Sequence, residues 1–431
     1  MSESKNKQIA ETMRMTFERR RRQDCRVFEL KVNRKRLNKQ QEETLKMMFV
    51  EAKWCYNYIL AKMKDEDFDL FSFKGKELST ITHKDKDGND VEAVLHYITS
   101  SLKDALVSRM QAQVKTLATL SAKGKRVGSM RFKSDYTSIG LKQLGVTHKI
   151  VSVNRIKVQG IKKQLPIHGL DQLDRYENYE IANAILHKCG DDYYIYLTVY
   201  TPKEDVDGRD FKNEQVGIDF GCQTSLTMSD GTKVNAVVEE TERLKRLQRK
   251  MVRQKKGSNN RYRTICAIQK EYRKNTNRKD DKANKIVHRL LAENRQIIIQ
   301  DDQLHAWHAK HGKKVQHGIL GRVKERLMRH PDRVVVLSRL VPTTKFCHDC
   351  GHVHKDIQLS DREFICPACG CIYDRDVHAA QNMVWIYNNL KDKIGLDESN
   401  FKRGDFDEEV RNIFCEWDSQ RMNREDATPL A

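Results

Sequence analysis

Two hydrophobic periods alternate along the first half of the chain. Residues 27–36 open with apolar and polar side chains in alternation, which is the period of a half-buried strand. From Glu43 apolar side chains recur every three or four residues, and 99–121 repeats this pattern, so both stretches predict amphipathic helices. Residues 150–158 and 178–201 return to strand character. The pattern predicts a β-rich region with a helical insertion, and an independent all-β domain with such an insertion would satisfy it without any partner.

The second half of the chain combines short apolar runs with a long helical region. A polar segment at 205–213 precedes it, and 240–293 has helical character throughout. The stretch from Lys391 to Ala431 has weak periodicity, which predicts a short helix or two followed by a disordered tail. Three apolar runs predict buried strands of an α/β domain, at 215–221, 296–300 and 333–339.

The charge balance of the chain indicates a polyanionic partner. Its 431 residues include 80 Lys and Arg against 60 Asp and Glu, a formal net charge of +20. This excess favours nucleic acid, and a membrane surface is the rival polyanion. No stretch approaches the roughly 18 consecutive apolar residues of a spanning helix, and the first residues lack the apolar core of a signal peptide. The length predicts about two to four domains.

Eleven cysteines fall into one ordered group and a scattered remainder. The pairs Cys347-x-x-Cys350 and Cys366-x-x-Cys369, fifteen residues apart, have the spacing of a zinc ribbon with a tetrahedral four-sulfur site. Cys371 lies just beyond and is expected to take no part. The other cysteines show no pairing pattern, which fits a reducing cytosol and predicts a cytoplasmic protein.

Acidic residues follow the predicted strands and the ribbon. Asp219 ends one strand, Asp301 and Asp302 follow another, and Asp374 and Asp376 follow the second cysteine pair. Any one of them alone is more simply a turn or helix-capping residue. Together, in a basic chain, they offer the oxygen ligands that Mg²⁺ or Mn²⁺ requires, and two such ions can hydrolyse a phosphodiester. The pattern predicts a metal-dependent nuclease site.

A basic run lies at the start of the long helical region. No acid occurs among residues 243–263. Like charges three or four positions apart on a helix repel one another. The run is therefore either a solvated helix face or a surface neutralised by a phosphate backbone. Its members are Arg243, Lys245, Arg246, Arg249, Lys250, Arg253, Lys255 and Lys256.

The motifs occur in an order that resembles TnpB, the transposon-encoded RNA-guided nuclease related to compact type V CRISPR effectors. Over roughly residues 214–390 this order is Gly217-Ile-Asp219-Phe-Gly221, the basic helices, the strand followed by acids, Thr343-Thr-Lys345-x-Cys347-x-x-Cys350-Gly351, Cys366-x-x-Cys369-Gly370 and Asp374-Arg-Asp376-x-x-Ala-Ala-x-Asn382. Weaker resemblances to the same family lie at Tyr56–Leu60, Met130–Lys133 and Leu244–Lys250.

The resemblance implies an α/β multi-domain protein, with a split RuvC nuclease domain of RNase H-like fold preceded by a wedge β-barrel. The wedge domain would comprise 1–40 and 127–212, and a helical recognition domain, 41–126, would be inserted in it. The RuvC domain would comprise 213–342, with a basic helical hairpin at 240–293, and 372–392. A zinc-ribbon target nucleic-acid-binding insertion would occupy 343–371, and a tail 393–431.

The resemblance also implies partners and residue roles. A guide RNA would pair with double-stranded or single-stranded target DNA, in a bacterial or phage-encoded protein, with monomer and homodimer both open. Asp219 and Asp376 match the first and third catalytic acids, while Asp374 takes a supporting role. The structural Zn²⁺ ligands would be Cys347, Cys350, Cys366 and Cys369. Nucleic-acid-binding residues would be Arg131, Lys133, Arg243, Arg246, Arg249, Lys250, Arg253, Lys255 and Lys345.

The second catalytic acid is where the chain departs from its relatives. Many relatives have Glu where Gln300 stands, and a subgroup has Glu where Asp302 stands. Asp302, the candidate second acid, is one methylene shorter than Glu, and displacing a ligand by about 1 Å can cost on the order of 100-fold in rate. His378 also replaces the Asn of the last motif.

Three functions therefore stay open. The first is an RNA-guided, metal-dependent DNA endonuclease, and the second is an RNA-guided repressor that cuts poorly or not at all. The third is a transposase or zinc-ribbon regulator that binds DNA directly. The sequence does not distinguish a transposon-encoded protein from a CRISPR effector.

Overall fold

The computed structural model describes residues 2–84, 88–203, 209–222, 224–304, 306–307, 312, 318–354, 362–397 and 399–425. It divides into two compact units. The first comprises Met1–Val206 with Ile265–Gln269, and the second comprises Asp207–Thr264 with Lys270–Ala431. Among the described helices, none is both long enough and apolar enough to cross a membrane.

The first unit is a sheet with helices packed on it. Its helices are α1 (Ser2–Arg21), α2 (Lys39–Lys62) and α3 (Ser100–Ala122). Short 3₁₀ turns lie at Arg34–Arg36, Gly75–Glu77 and Leu170–Arg175. Its strands are β1 (Gln23–Val32), β2 (Thr80–Lys84), β3 (Asp90–Val94), β4 (Ser138–Leu141), β5 (His148–Ser152), β6 (Arg155–Val158), β7 (Leu165–His168), β8 (Glu180–Cys189) and β9 (Asp192–Pro202).

Seven of these strands form one antiparallel sheet in the order β4-β8-β9-β1-β7-β6-β5, which nearly closes into a barrel. On β1, Leu30 and Val32 are buried and point to the same face because side chains alternate along a strand. Leu30 pairs with Ile195 of β9, which is also fully buried. The apolar face of α2 joins the same hydrophobic core, as its three-to-four-residue period predicts.

Polar contacts fix the start and the middle of α2 in this unit. Asn38 and Gln41 form a capping box at its start. In its middle the Glu51 carboxylate, 2% exposed, accepts hydrogen bonds of 2.8 Å from the backbone N–H groups of His96, Tyr97 and Ile98. Three amide donors satisfy a buried carboxylate that would otherwise be strongly destabilising. Glu51 thus ties α2 to the segment that leads into α3.

Two elements of this unit were not predicted. Helix α1 lies within residues 1–40, the expected first part of the wedge domain, where the sequence predicted only the strand at 27–36. Its residues have good helix propensity but no apolar stripe, and Met13, Met15 and Phe17 are exposed. The hairpin β2–β3 lies in the region expected to be helical.

The second unit is an α/β unit in which groups of strands and helices follow one another along the chain. Its strands are β10 (Asn213–Phe220), β11 (Leu226–Met228), β12 (Lys233–Val234), β13 (Asn294–Gln300), β14 (Val334–Leu337), β15 (Glu363–Ile365) and β16 (Ile372–Asp374). Its helices are α4 (Glu242–Arg253), α5 (Asn259–Glu293), α6 (Leu320–Leu327), α7 (Arg375–Leu390) and α8 (Arg403–Glu425).

A five-stranded mixed sheet in the order β12-β11-β10-β13-β14 forms the centre of this unit. Strands β10, β13 and β14 are parallel, while β11 is antiparallel to its neighbours β10 and β12. The run Ile297-Ile298-Ile299 is buried on both sheet faces, because Ile297 and Ile299 pack with α5 and α6 while Ile298 packs with α7 and α8. Continuous apolar runs are typical of strands covered on both faces.

The C-terminal region differs from its prediction. A single 23-residue helix, α8, replaces the short helix or two, and residues 426–431 of the predicted disordered tail lie outside the described part. Phe406 and Val410 of α8 are buried against α7. Weak periodicity concealed this helix because its apolar contacts are concentrated in one part of its length. Phe414 also lies where a side chain on Gly351, at φ +72°, would clash with its ring.

Helix α7 packs against β10 at Gly217. A Cβ atom at this position would lie 2.0 Å from the backbone oxygen of Ala380 in α7. Only a glycine lets the helix and strand backbones approach this closely. The same contact holds the start of α7 near the end of β10.

We expect Gly217→Ala to destabilise the protein by about 1–3 kcal/mol or more, because the added methyl group would separate α7 from β10. Urea denaturation followed by circular dichroism would measure this. The control is Gly321→Ala, since no atom lies within 4 Å of its added methyl group and Ala favours a helix over Gly. A Gly217→Ala protein as stable as Gly321→Ala would contradict the close approach.

Candidate metal centres

The four cysteines predicted to bind zinc lie together. The Sγ atoms of Cys347, Cys350, Cys366 and Cys369 are all within 4.8 Å of one another. The Cys347–Cys369 sulfurs are 3.9 Å apart and the Cys350–Cys366 sulfurs are 3.6 Å apart. A tetrahedron with Zn–S bonds of about 2.3 Å has edges of about 3.8 Å, so the sulfurs fit Zn²⁺. Cys371 is exposed and lies outside this group, as expected.

Two similar backbone turns present these sulfurs. In the first, the N–H of Cys347 donates to the carbonyl of His352 and the N–H of Gly351 donates to that of Cys347. In the second, Cys366 and Gly370 repeat these bonds, with the Cys371 carbonyl accepting from Cys366. Both glycines have positive φ, +72° and +76°. The tight turns explain why the spacing of each pair is so informative in the sequence.

The three predicted catalytic acids also approach one another. Asp219 is the penultimate residue of β10, Asp302 follows β13, and Asp376 is the second residue of α7. Burial raises the pKa of Asp219 well above its usual value, and the charges of Asp302 and Asp376 raise it further, while Arg375 opposes them. Among the described residues, the oxygens of these three carboxylates are farther apart than the cysteine sulfurs, which all lie within 4.8 Å of one another. The three acids thus form an open cluster in which the negative charges of Asp302 and Asp376 oppose ionisation of Asp219.

The two residues beside Asp302 point elsewhere. Gln300 is buried, and its amide donates to the carbonyls of Ser338 and Val341 while its oxygen accepts from the Thr343 hydroxyl. It therefore fixes a loop instead of facing the acids. Asp301 accepts a 2.6 Å bond from the Lys324 ammonium group. Burial raises the pKa of Asp302 to about 6, Lys324 lowers it and Asp301 raises it.

Asp374 and Asp376 have different roles although they are two residues apart. The Asp374 carboxylate caps α7 by accepting from the backbone N–H groups of Asp376 and Val377, and it accepts a 2.7 Å bond from Lys233. Asp376 faces the cluster. Helix capping by Asp374 therefore fixes the first turn of α7, which carries Asp376.

Two arginines that the sequence did not suggest contact Asp376. Arg362 donates to one carboxylate oxygen at 3.1 Å, and Arg375 donates to the other at 3.2 Å. Arg375 stands in the Asp-Arg-Asp motif, which could have indicated it, but Arg362 belongs to none of the motifs. Arg362 immediately precedes β15, so the ribbon hairpin brings it to the acid.

Asn382 connects the acid-bearing helix to the ribbon. It is fully buried in α7, and its side-chain amide donates to the carbonyl of Thr343 at 2.7 Å and accepts from His348 at 2.8 Å. His378, one turn earlier, packs against His348 and Tyr373. Burial lowers the pKa of His378 to about 4, so the ring is neutral at pH 7. Helix α7 thereby connects the turn that carries Cys347 and Cys350 to Asp376.

The predicted nucleic-acid-binding residues divide into four environments, of which the last, that of Lys133, is described separately. On α4, Arg246, Arg249, Lys250 and Arg253 are exposed and line, with Gln254, an open cavity of about 310 Å³. No ion pair joins these four to an acid in the described part of the chain. By contrast, Arg243 pairs with Glu271 and Lys245 with Glu242. Lys255, Lys345 and Arg131 are exposed.

Lys133 has a mainly structural environment. Its ammonium lies 4.2 Å from the ring centroid of Tyr56 and 4.6 Å from that of Tyr136. Its backbone forms two 2.9 Å hydrogen bonds with the Asn57 side chain. Burial lowers the pKa of Lys133, and so does the charge of Arg109. Cation–π contacts of this kind hold the side chain against the protein.

Two family models match this chain. A model described as "Cas12f1-like, TNB domain" matches residues 322–383, and one described as "Probable transposase" (OrfB_IS605) matches residues 199–305. Together they cover the cysteine group, Asp219, Asp302 and Asp376.

Two curated relatives are similar over part of their length. A "Putative RNA-guided DNA endonuclease" of Streptomyces pristinaespiralis is 31% identical over an alignment of 179 residues, and the match covers 39% of this chain and 44% of the relative. The "Putative RNA-guided DNA endonuclease InsQ" of Escherichia coli K12 is 28% identical over an alignment of 192 residues, and the match covers 39% of this chain and 48% of the relative. The chain thus spans under half the length of the curated relatives it matches.

Solved structures give weaker matches. The Cas12f1-sgRNA-target DNA complex has a TM-score of 0.42 at 14% identity, covering 80% of this chain and 83% of that one. CasPhi-2 (Cas12j) bound to crRNA has a TM-score of 0.40 at 9% identity, covering 84% and 98%.

We expect the protein to contain about one equivalent of Zn²⁺ and Cys366→Ser to lose it, because serine offers a poorer ligand than a thiolate. Metal analysis by plasma mass spectrometry measures this. Loss of Zn²⁺ should also make the region around β15 and β16 sensitive to proteolysis. Cys371→Ser is the matched control and should retain zinc; zinc loss in both variants, or in neither, would contradict the assigned ligands.

Proposed function

We propose that this chain is an RNA-guided DNA endonuclease. The premise is that it is TnpB-like and related to compact type V effectors, which its matches to the two family models support. Asp219, Asp302 and Asp376 would form its metal-dependent catalytic centre. The observation that carries this proposal is the placement of the three acids by the fold: Asp219 and Asp302 lie at the ends of the neighbouring parallel strands β10 and β13, and Asp376 lies at the start of α7, which packs on β10. The curated names of its relatives support the same activity.

The three acids fit divalent cations by their chemistry. All offer hard carboxylate oxygens, which Mg²⁺ and Mn²⁺ prefer. Their mutual repulsion in a partly buried setting is relieved when cations bind between them, and the open spacing leaves room for water and substrate. Bound ions would supply the activation of water and the stabilisation of a leaving oxygen.

The protein groups around the acids would orient them and the substrate. Asp374 and Gly217 fix the positions of α7 and β10, which carry Asp376 and Asp219. Arg362 and Arg375 balance the charge of Asp376 before the site is loaded. Their guanidinium groups can also donate to phosphate oxygens.

We assign the finer domain layout on the same premise. The mixed sheet of the second unit, with acids at the ends of β10 and β13, would be the split RuvC domain. The ribbon formed around β15 and β16 would be its target nucleic-acid-binding insertion. The nearly closed sheet of the first unit would be the wedge barrel, with α2 and α3 as the recognition insert.

Guide RNA and target DNA would be bound through phosphate contacts. Arg246, Arg249, Lys250 and Arg253 of α4, which have no ion-pair partner among the described residues, support this assignment. They do so more strongly than Arg243 and Lys245, which already pair with acids. In this scheme base pairing supplies sequence specificity and the protein holds the nucleic-acid backbone.

The second candidate function is an RNA-guided repressor with little cleavage. Two observations favour it: Asp302 is shorter than the Glu of its relatives, and both oxygens of Asp376 are already paired with arginine. A protein that binds DNA directly, the third candidate, requires no RNA for target recognition. Cleavage and binding must therefore be measured separately.

We expect Asp219→Ala to reduce cleavage of a guide-matched DNA at least on the order of 100-fold, because a metal ligand is lost. Asp302→Ala should behave similarly, and Asp302→Glu should retain or increase cleavage. Single-turnover cleavage assays on the RNA-loaded protein measure these rates, and gel-shift assays should show unchanged target binding. Cleavage unaffected by Asp219→Ala would contradict the nuclease site; guided binding with no cleavage even in the unmodified protein would favour the repressor.

We expect simultaneous replacement of Arg246, Arg249, Lys250 and Arg253 by Gln to flatten the salt dependence of RNA binding. At roughly 0.7 per lost contact, the slope of log K against log salt should fall by about 3. The control replaces four cations that pair with acids one helical turn away, Lys285, Arg289, Arg329 and Arg403. An equal fall of the slope in both variants would show that the effect comes from net charge and not from these four positions.

A further inference from the structure

Lys324 of α6 makes an unusual pair of contacts beside the acid cluster. The residue is 8% exposed. Its ammonium group donates at 2.6 Å to the Oδ1 atom of Asp301 and at 3.0 Å to the backbone carbonyl of Asp302. One buried cation thus contacts both members of the Asp301-Asp302 pair, by different groups. Neither its sequence position nor a motif suggested a role for it.

The fold holds Lys324 in this place from both ends of α6. Val323 and Leu327 are fully buried in the core beside the central sheet. The N–H of Ile319, just before the helix, donates to the carbonyl of Ala236. With the helix anchored in this way, a long side chain can reach the end of β13 while its stem stays in apolar surroundings.

The backbone at Asp301 and Asp302 explains why such a cation is needed. The N–H of Asp301 still pairs with the carbonyl of Leu337 in β14, whereas that of Asp302 turns back to the carbonyl of Gln300. The strand therefore ends between two adjacent carboxylates. Only the second belongs to the cluster with Asp219 and Asp376.

We propose that Lys324 is a positioning residue that selects Asp302 as the metal ligand by binding Asp301 and fixing the Asp302 backbone. This inference rests on the proposed function of the acid cluster. Lys324 removes the Asp301 carboxylate from competition for the metal and neutralises its charge. It also holds the peptide that orients Asp302, which matters because an Asp has less reach than a Glu.

A purely structural ion pair makes different predictions. Such a pair would stabilise α6 and nothing else, so its loss would lower the folded fraction without changing the affinity of the remaining folded protein for metal. A positioning residue changes metal affinity and the metal concentration that cleavage requires. Residues that orient metal ligands typically affect metal affinity by about 10- to 100-fold.

The test uses Lys324→Met, which removes the charge at similar length, and Lys324→Arg, which restores it. Mn²⁺ alone, with zinc already in the ribbon, is titrated into the full protein and followed by electron paramagnetic resonance. We expect Lys324→Met to weaken Mn²⁺ binding on the order of 10-fold or more, and Lys324→Arg to recover much of that loss. Asp219→Asn gives the baseline without the site.

Controls separate positioning from stability and from the proposed function. Lys285→Met removes an exposed cation that pairs with Asp281, and it should leave Mn²⁺ binding unchanged. Cleavage by the RNA-loaded protein should need on the order of 10-fold more Mg²⁺ in Lys324→Met, while target binding stays the same. If the unmodified protein binds Mn²⁺ at this site but does not cut, the nuclease proposal fails while the role of Lys324 is still measured.

Two outcomes would overturn the role of Lys324. The first is unchanged Mn²⁺ affinity in folded Lys324→Met. The second can be measured even if Lys324→Met does not fold, and it compares Asp301→Asn with Asp302→Asn. Asp301→Asn keeps an oxygen for Lys324, so we expect it to weaken Mn²⁺ binding far less than Asp302→Asn. The reverse order would make Asp301 the ligand.

Discussion

The rest of the second unit depends on bringing three carboxylates together against their mutual repulsion. Asp219, Asp302 and Asp376 come from two parallel strands and a helix start, and burial raises the pKa of Asp219, as do the charges of the other two acids. Charges in partly buried positions are costly unless they are paired or bind cations. The surrounding structure must therefore hold these groups more firmly than they repel one another.

Backbone contacts provide that rigidity. Gly217 allows α7 to lie directly on β10, and Asp374 caps the helix, so Asp376 is placed by main-chain geometry. Asn382 then joins the same helix to the loop that enters the first cysteine turn. The zinc ribbon and the acid cluster are thus parts of one structure, and Arg362, carried by the ribbon, contacts the acid directly.

The sequence predicted the features whose signal is local and missed those that depend on tertiary contacts. Cysteine spacing and strand-terminal acids identified both candidate sites because tight turns and strand ends fix residues close in sequence. The contacts of Arg362 and Lys324 join residues 14 and 23 positions apart, and no local period reports them. Helix α1 escaped notice because it lacks an apolar stripe, and α8 because its core contacts are confined to part of its length.

Anomalous X-ray scattering from crystals of the protein soaked in Mn²⁺ tests the central claim most directly. Data collected on either side of the manganese absorption edge distinguish Mn²⁺ from the ribbon's Zn²⁺. The account predicts manganese bound by carboxylate oxygens of Asp219 together with Asp302 or Asp376, and Asp301 still on Lys324. Manganese bound elsewhere, with the three acids empty, would contradict it.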